Sequence, residues 1–392
     1  MRQRGLRRAS AFALPQRLWR GDVLRCVDLH CGGEPATVVL GKDVPGATME
    51  AKRQHIMRHE DAWRRLLLHE PRGYPCSNVD FLLAPTVAEA DYGFVIAEQD
   101  AIYPLMSGHN TICVATALVE CGLLPEDRRG RFVLEAPSGP VPVEADVAED
   151  GRCRSITFQG PPSFVAVRDA LVDLGDAARA LGLAADKVRV DIAYGGMWYV
   201  IADAEDLGLA LVPEEGARIR AAGELVKKAC QRDYPVERPP AWKSTRKFRP
   251  ASRRATRREH RVTPSTRRRH PRFDYPGPDI LAFRGPPLSR GADARNAVVM
   301  SNGYSGMLDR SPCGSGTCAI MALLHARGEL DLGERFVHES VVGSVFTGEL
   351  VGATAEGVVP AITGSAWITR YAEVVVDPTD PFPEGFRVGD IW

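Results

Sequence analysis

Several features that would class this chain of 392 residues at a glance are missing from it. It has no net charge: 50 Lys and Arg offset 50 Asp and Glu, so the overall balance suggests no nucleic-acid or acidic partner. No uninterrupted apolar run approaches membrane-spanning length, so no span and no membrane partner are expected. A phosphate loop of the G-x-x-x-x-G-K type is absent, as is a G-x-G-x-x-G in a strand–helix setting, which removes the usual nucleotide cofactors. The nine cysteines never fall as C-x-x-C. An odd, scattered set argues against a disulfide framework and for free thiols in a reducing, cytoplasmic setting. Neither Cys26 with Cys31 nor Cys313 with Cys318 has zinc-knuckle spacing, and His55 with His59 lacks an evident third ligand, so no metal is expected.

What the chain does have is one short grammar used twice. Met106-Ser107-Gly108-His109-Asn110-Thr111 precedes an apolar run from Ile112 to Val119. Leu308-Asp309-Arg310-Ser311-Pro312-Cys313-Gly314-Ser315-Gly316-Thr317-Cys318 precedes another, from Ala319 to Leu324. Ser107 matches Cys313, Gly108 matches Gly314, His109 matches Ser315, Asn110 matches Gly316 and Thr111 matches Thr317. Each half therefore carries a small nucleophilic side chain at the mouth of one buried helix. The first turn of a helix has backbone N–H groups without intrahelical partners, and the macrodipole adds positive charge there. A carboxylate is held well at such a place, and a thiol there is expected to lose its proton more easily. Glycine allows close approach to the backbone. Two such mouths face to face would hold a small anion between two proton-transfer groups.

The rest of the chain frames these mouths. Val23–His30 and Ala36–Leu40 read as a hairpin around Cys31-Gly32-Gly33-Glu34-Pro35. A helix is expected over 49–68, then short strands near 78–83 and 92–96, and after the first buried helix, which Gly122 would cap, strands near 131–135, 141–145 and 155–159. Many short strands around one apolar helix suggest a sheet wrapped about it. Asp191-Ile192-Ala193-Tyr194-Gly195-Gly196 opens a second unit of the same kind, with a helix over 214–230 and strands near 336–341, 343–349, 358–362 and 365–376. The first twenty residues are Arg-bearing without the apolar core of a secretory signal, and fit a transit-type leader or a mis-called start. Between Arg238 and Arg272 basic residues outnumber acidic ones fourteen to one, with almost no aliphatic side chains. Such text reads as a nucleic-acid or membrane-surface patch, as a disordered basic loop, or as a shifted reading frame, the reading favoured here. A shifted frame would remove a strand or two from the second half.

Two opposed proton-transfer groups with a carboxylate clamp suit chemistry at the Cα–H of a small amino acid. Without an electron sink, that chemistry needs a desolvated site that closes and many donors on the carboxylate. At Asp28–Pro35, Glu70-Pro71-Arg72-Gly73, Ser107–Asn110, Asp191–Gly196, Asp309–Gly316 and Gly343–Phe346 the sequence resembles the proline racemase family. The resemblance implies an α+β fold like that of diaminopimelate epimerase. Two pseudo-symmetric halves would each wrap a curved, barrel-like sheet around a central helix, with the active site in the cleft between them. Residues 1–21 would be a leader, 22–187 with 366–392 the first half, 188–365 the second, and 238–290 an anomalous segment within it.

The family places a thiol at both mouths in racemases and epimerases; here Ser107 replaces the first. The resemblance implies Ser107 and Cys313 as the catalytic pair. It implies Gly108, His109, Gly314 and Ser315 as holders of the substrate carboxylate, and Asp309 as the partner of the ring nitrogen. A Ser/Cys pair resembles bacterial trans-3-hydroxy-L-proline dehydratases, hydro-lyases that form Δ1-pyrroline-2-carboxylate without a cofactor. The alternatives are a 4-hydroxyproline 2-epimerase or proline racemase-like isomerase, and an inactive relative that only binds an imino acid. Plainer readings exist too: Ser107 and His109 as helix caps, and Asp309 as the partner of Arg310. The expected partner is a small-molecule imino acid; a homodimer is left open and nucleic acid is not expected.

Overall fold

The computed structural model describes residues 22–236, 278, 280–300 and 306–391. The leader and the basic stretch between residues 237 and 277 lie outside them. The chain opens on a hairpin, β1 (Val23–Cys31) and β2 (Glu34–Leu40), whose turn glycines Gly32 and Gly33 hold φ of 58° and 93°. That left-handed backbone favours glycine. Helices α1 (Met49–His59) and α2 (Asp61–Leu68) follow. The expected single helix over 49–68 is broken at Glu60, whose φ of −125° and ψ of 15° end one helix and cap the next. The remainder of the first unit is β3 (Val79–Leu83), β4 (Tyr92–Ala97), α3 (Gly108–Glu120), β5 (Arg131–Ala136), β6 (Gly139–Val147) and β7 (Cys153–Gln159). The second unit runs β8 (Phe164–Asp173), α4 (Asp176–Ala180), β9 (Lys187–Tyr194), β10 (Trp198–Asp203), α5 (Gly216–Asp233), β11 (Ile280–Gly285), β12 (Ala294–Met300), β13 (Met307–Asp309) and α6 (Gly314–Arg327). It ends with β14 (Arg335–Glu339), β15 (Val345–Thr354), β16 (Gly357–Gly364) and β17 (Ala366–Val375).

Strand pairing makes the repeat explicit. In the first half β1 to β7 pair in chain order, with β2–β3 and β4–β5 parallel and the rest antiparallel. In the second half β9, β10, β11, β12, β14, β15 and β16 pair in the same order and the same senses. The sheets join where β7 meets β16 antiparallel, with the Thr157 and Thr363 hydroxyls 2.7 Å apart at the seam. Two further pairings extend the halves: β17, the last strand in the chain, pairs with β1 of the first half, and β8, which follows β7, pairs with β9 of the second. This corrects the expected boundary at residue 187. Residues 164–180 hydrogen-bond to and pack in the second half, because Ala170, Val172, Leu174 and Ala178 bury their apolar side chains against β9, β11 and α5. The segment 238–290 is corrected at its end as well. Ile280–Gly285 is a strand parallel to β10 and antiparallel to β12, so no counterpart of β1–β7 is lost from the second half.

Helices α3 and α6 lie inside this curved, unclosed sheet. Every residue of α3 except Glu120 is buried, as are Gly314 to Leu324 of α6. A helix that is apolar all round belongs in a core, not at a surface. Each buried Leu, Ile or Val side chain contributes about 1.5–3 kcal/mol to keeping it there. Both helices stop in one way: Gly122 and Gly328 take φ of 65° and 74°, and the next residue's N–H closes back on Leu118 and Leu324 at 3.0 and 2.9 Å. Helices α1 and α2 cover the outer face of the first sheet, and α4 and α5 that of the second. Among the described residues no helix is long and apolar enough to cross a membrane.

Candidate active site

Ser107 is the cap residue of α3 and Cys313 that of α6. The two helices meet end to end, glycine against glycine. A Cβ on Gly108 would lie 2.6 Å from the Gly314 Cα, and one on Gly314 would lie 2.7 Å from the Gly108 Cα. Phe158 Cζ closes the back of this contact. Only two glycines allow so close an approach. Around it Ser107, Gly108, His109, Asp309, Cys313, Gly314 and Ser315 line one cavity. The seven residues singled out from sequence, separated by some two hundred positions, thus come together at one place. Tyr199, Glu98, Ile102, Met197, Ile280 and Met300 complete the lining.

The Ser107 side is relaxed. Its φ of −146° and ψ of 134° are ordinary extended backbone, and its C=O accepts both the Thr111 N–H at 3.0 Å and the Thr111 hydroxyl at 2.7 Å. Ser107 Oγ lies 3.2 Å from His109 Nδ1. Burial holds the His109 imidazole below its usual pKa, against an upward pull from Asp309, so the ring is neutral near pH 7. A neutral imidazole can accept the serine proton at Nδ1. Its Nε2 has no hydrogen-bond partner among the described residues.

The Cys313 side is strained. Cys313 has φ of 61° and ψ of 104°, a region that non-glycine residues avoid at a cost of about 1–3 kcal/mol. A chain of bonds holds it there. Asp309 Oδ1 accepts the Ser311 N–H at 2.8 Å, and Ser311 Oγ accepts the Cys313 N–H at 3.0 Å. Asn296 and Thr317 donate to the Pro312 carbonyl at 2.7 and 3.1 Å, and the Thr317 hydroxyl also meets His338 Nδ1 at 2.8 Å. The thiol meets Tyr199 Oη at 3.2 Å, and that same oxygen lies 2.6 Å from Ser315 Oγ.

One expectation is overturned here. The helix mouth was expected to make the thiol more acidic, yet Cys313 is held well above the usual thiol range. Burial is the main cause and the neighbouring Asp309 the next, and together they outweigh the donors from Tyr199 and Gly316. A cation brought beside Asp309 would cancel that carboxylate's push. Behind Asp309 the fully buried Glu34 is raised well above the carboxylate range, first by burial and then by Asp309. Its Oε2 accepts the Arg310 N–H at 2.8 Å, tying the first hairpin to the second mouth, and Ser344 Oγ donates to the Gly32 carbonyl at 2.7 Å beside it.

Tyr199 is the functional candidate that the sequence reading missed. It sits in step with Ala36: Gly195-Gly196-Met197-Trp198-Tyr199 runs parallel to Gly32-Gly33-Glu34-Pro35-Ala36, and both final residues face the shared inner core. Setting the two hairpins side by side would have shown a hydroxyl where the first half has a methyl.

Fold and site together define a two-halved α+β protein with a serine and a cysteine at paired helix mouths on one cavity. The proline racemase family model matches residues 26–249 and 255–387. The chain is 36% identical over 373 residues to a 4-hydroxyproline 2-epimerase of Streptosporangium roseum, covering 93% of this chain and 98% of that one. It is 31% identical to proline racemase A of Trypanosoma cruzi, covering 93% and 81%. A crystal structure of a hydroxyproline epimerase from Agrobacterium vitis with bound trans-4-hydroxy-L-proline superposes with a TM-score of 0.75 at 31% identity, covering 94% and 97%. This chain belongs to the proline racemase family.

Proposed function

We propose that the cleft binds a free hydroxyproline and exchanges its Cα proton between Cys313 on one face and Ser107 on the other, inverting that centre as a 2-epimerase does. The observation that carries this reading is the close approach of Gly108 and Gly314, with Ser107 and Cys313 beside them lining one cavity. The N–H groups of Gly108, His109, Gly314 and Ser315 in the two first turns suit the carboxylate, and their positive helix ends stabilise the charge it gains when Cα is deprotonated. Asp309 suits the secondary ammonium, and that cation relieves the charge that keeps Cys313 protonated. Serine alone is a poor base, but at 3.2 Å from a neutral His109 it can pass its proton on. Two relatives support a hydroxyproline, one named for epimerising 4-hydroxyproline and another holding trans-4-hydroxy-L-proline, while a third is named proline racemase A.

A second reading is dehydration of trans-3-hydroxy-L-proline to Δ1-pyrroline-2-carboxylate. The single thiol favours it, because loss of the 3-hydroxyl after Cα deprotonation needs one strong base, not two. Product analysis with trans-4-hydroxy-L-proline, trans-3-hydroxy-L-proline and L-proline separates the two. Epimerisation gives cis-4-hydroxy-D-proline on a chiral column, whereas dehydration gives a product trapped by o-aminobenzaldehyde. Consumption of none of the three would overturn both readings.

A further inference from the structure

Tyr199 has a place in this chemistry that goes beyond packing. Its hydroxyl is fully buried, lines the cavity, and reaches two groups at once: Cys313 Sγ at 3.2 Å and Ser315 Oγ at 2.6 Å. A phenol has one proton to donate and an oxygen that accepts. Two arrangements of the three groups follow the protonation of Cys313. With Cys313 as thiolate, Tyr199 donates to sulfur, and Ser315 must donate to Tyr199. With Cys313 as thiol and the Asp309 carboxylate, its other hydrogen-bond partner, engaged by the substrate ammonium, the S–H turns to Tyr199, Tyr199 donates to Ser315, and the Ser315 hydroxyl proton is released toward the cavity.

We propose that Tyr199 is a positioning residue that reverses its hydrogen bond whenever Cys313 gains or loses its proton, so that Ser315 donates to the substrate carboxylate only after Cys313 has taken the Cα proton. No covalent bond changes at Tyr199, and the phenol stays neutral throughout. The consequence is a donor that arrives when the carboxylate acquires charge. Interactions stronger at that moment than in the ground state raise the rate, whereas equal binding throughout would not. Burial supports the neutral phenol, since it holds Tyr199 well above the usual phenol range. Gly316 leaves room for this geometry, because a Cβ there would lie 3.1 Å from Cys313 Sγ and 3.2 Å from the Tyr199 ring. The first mouth has no equivalent: Ala36 stands in step with Tyr199, and His109, the match of Ser315, meets Ser107 directly.

The inference rests on the reading of Cys313 as the base, and two readouts separate its failure from the failure of that reading. The first needs no substrate. Tyr199→Phe keeps the ring and removes the donor to the thiolate. At fixed pH, alkylation of Cys313 by iodoacetamide, followed by peptide mass, should then slow roughly tenfold, the loss of one charge-assisted hydrogen bond. The second is a double-mutant cycle on turnover. Ser315→Ala and Tyr199→Phe should each slow Cα proton exchange in the hydroxyproline that wild type converts, and the double variant should be no slower than the worse single one within about twofold. An unchanged alkylation rate in Tyr199→Phe, in a protein that melts like wild type, would overturn the bond to the thiolate. Single effects that multiply in the double variant would overturn the coupling to Ser315. Slower alkylation in a protein that converts no hydroxyproline would leave the thiolate bond standing and remove the catalytic role.

Discussion

At one mouth an oxygen faces a histidine nitrogen at 3.2 Å; at the other a sulfur faces a tyrosine oxygen at the same distance. The Ser107 backbone is relaxed at φ −146°, whereas Cys313 is held at φ 61° by Asp309, Ser311 and the bonds on Pro312. In the proposed reaction the two ends therefore solve one problem by opposite means. The serine is intrinsically weak, and a neutral base supports it. The thiol is intrinsically strong, and burial with a nearby carboxylate raises its pKa. A duplicated fold supplies matched positions, and in the proposed reaction the side chains at those positions divide the labour.

The largest expected effect is the loss of either proton-transfer group, and the contrast is the informative part. Cys313→Ala should lower Cα exchange by about 10³-fold or more, and Ser107→Ala by about 10²-fold. Adding His109→Asn to Ser107→Ala should cost little further, because the pair acts as one unit. Steady-state exchange by proton NMR checks all three. Equal losses at the two mouths would erase the asymmetry drawn here.

A smaller effect tests the contact between the mouths. Gly108→Ala puts a Cβ 2.6 Å from the Gly314 Cα, and Gly314→Ala puts one 2.7 Å from the Gly108 Cα. Each should cost about 1–3 kcal/mol in denaturant unfolding, since backbone cannot yield as a flexible side chain can. Each should also reduce exchange, because the helix ends are pushed apart. A variant of either glycine with wild-type stability and activity would contradict the end-to-end packing.

The smallest effect singles out the second mouth. His338 supports Thr317 under the Cys313 turn, and burial pushes its pKa down to about 3. The unfolded chain accepts a proton at this residue below about pH 6.5, and the fold refuses it. Its contribution to stability therefore falls as pH drops from 6.5 toward 3. Between pH 7 and pH 5 the wild type should lose about 2 kcal/mol more than His338→Gln. Parallel losses in urea titrations at the two pH values would mean that the imidazole is not buried neutral.

The mouths were legible because each is a compact string: a nucleophile, a glycine, and an apolar run that can only be a buried helix. Wrapping of the sheet was legible for the same reason, since short strands and one apolar core helix leave few arrangements. The crossing of β8 was not, because Phe164–Asp173 alternates as an ordinary strand and nothing local says which sheet it joins. Ile280–Gly285 was lost inside a segment judged by the Arg-rich text before it. Tyr199 escaped because a tyrosine in a strand is usually core, and its two polar contacts come from residues more than a hundred positions away. The acidity of Cys313 was misjudged because the helix end is written locally, whereas burial and Asp309 act through the fold.

The most direct test follows deuterium. Wild-type protein in D2O is given trans-4-hydroxy-L-proline, and both epimers are sampled before equilibrium. Two mouths acting on opposite faces predict solvent deuterium at Cα of the newly formed D-epimer while the remaining L-substrate stays protiated. Equal labelling of both pools from the first time points would mean that one group serves both faces, and would contradict the division of labour between Ser107 and Cys313.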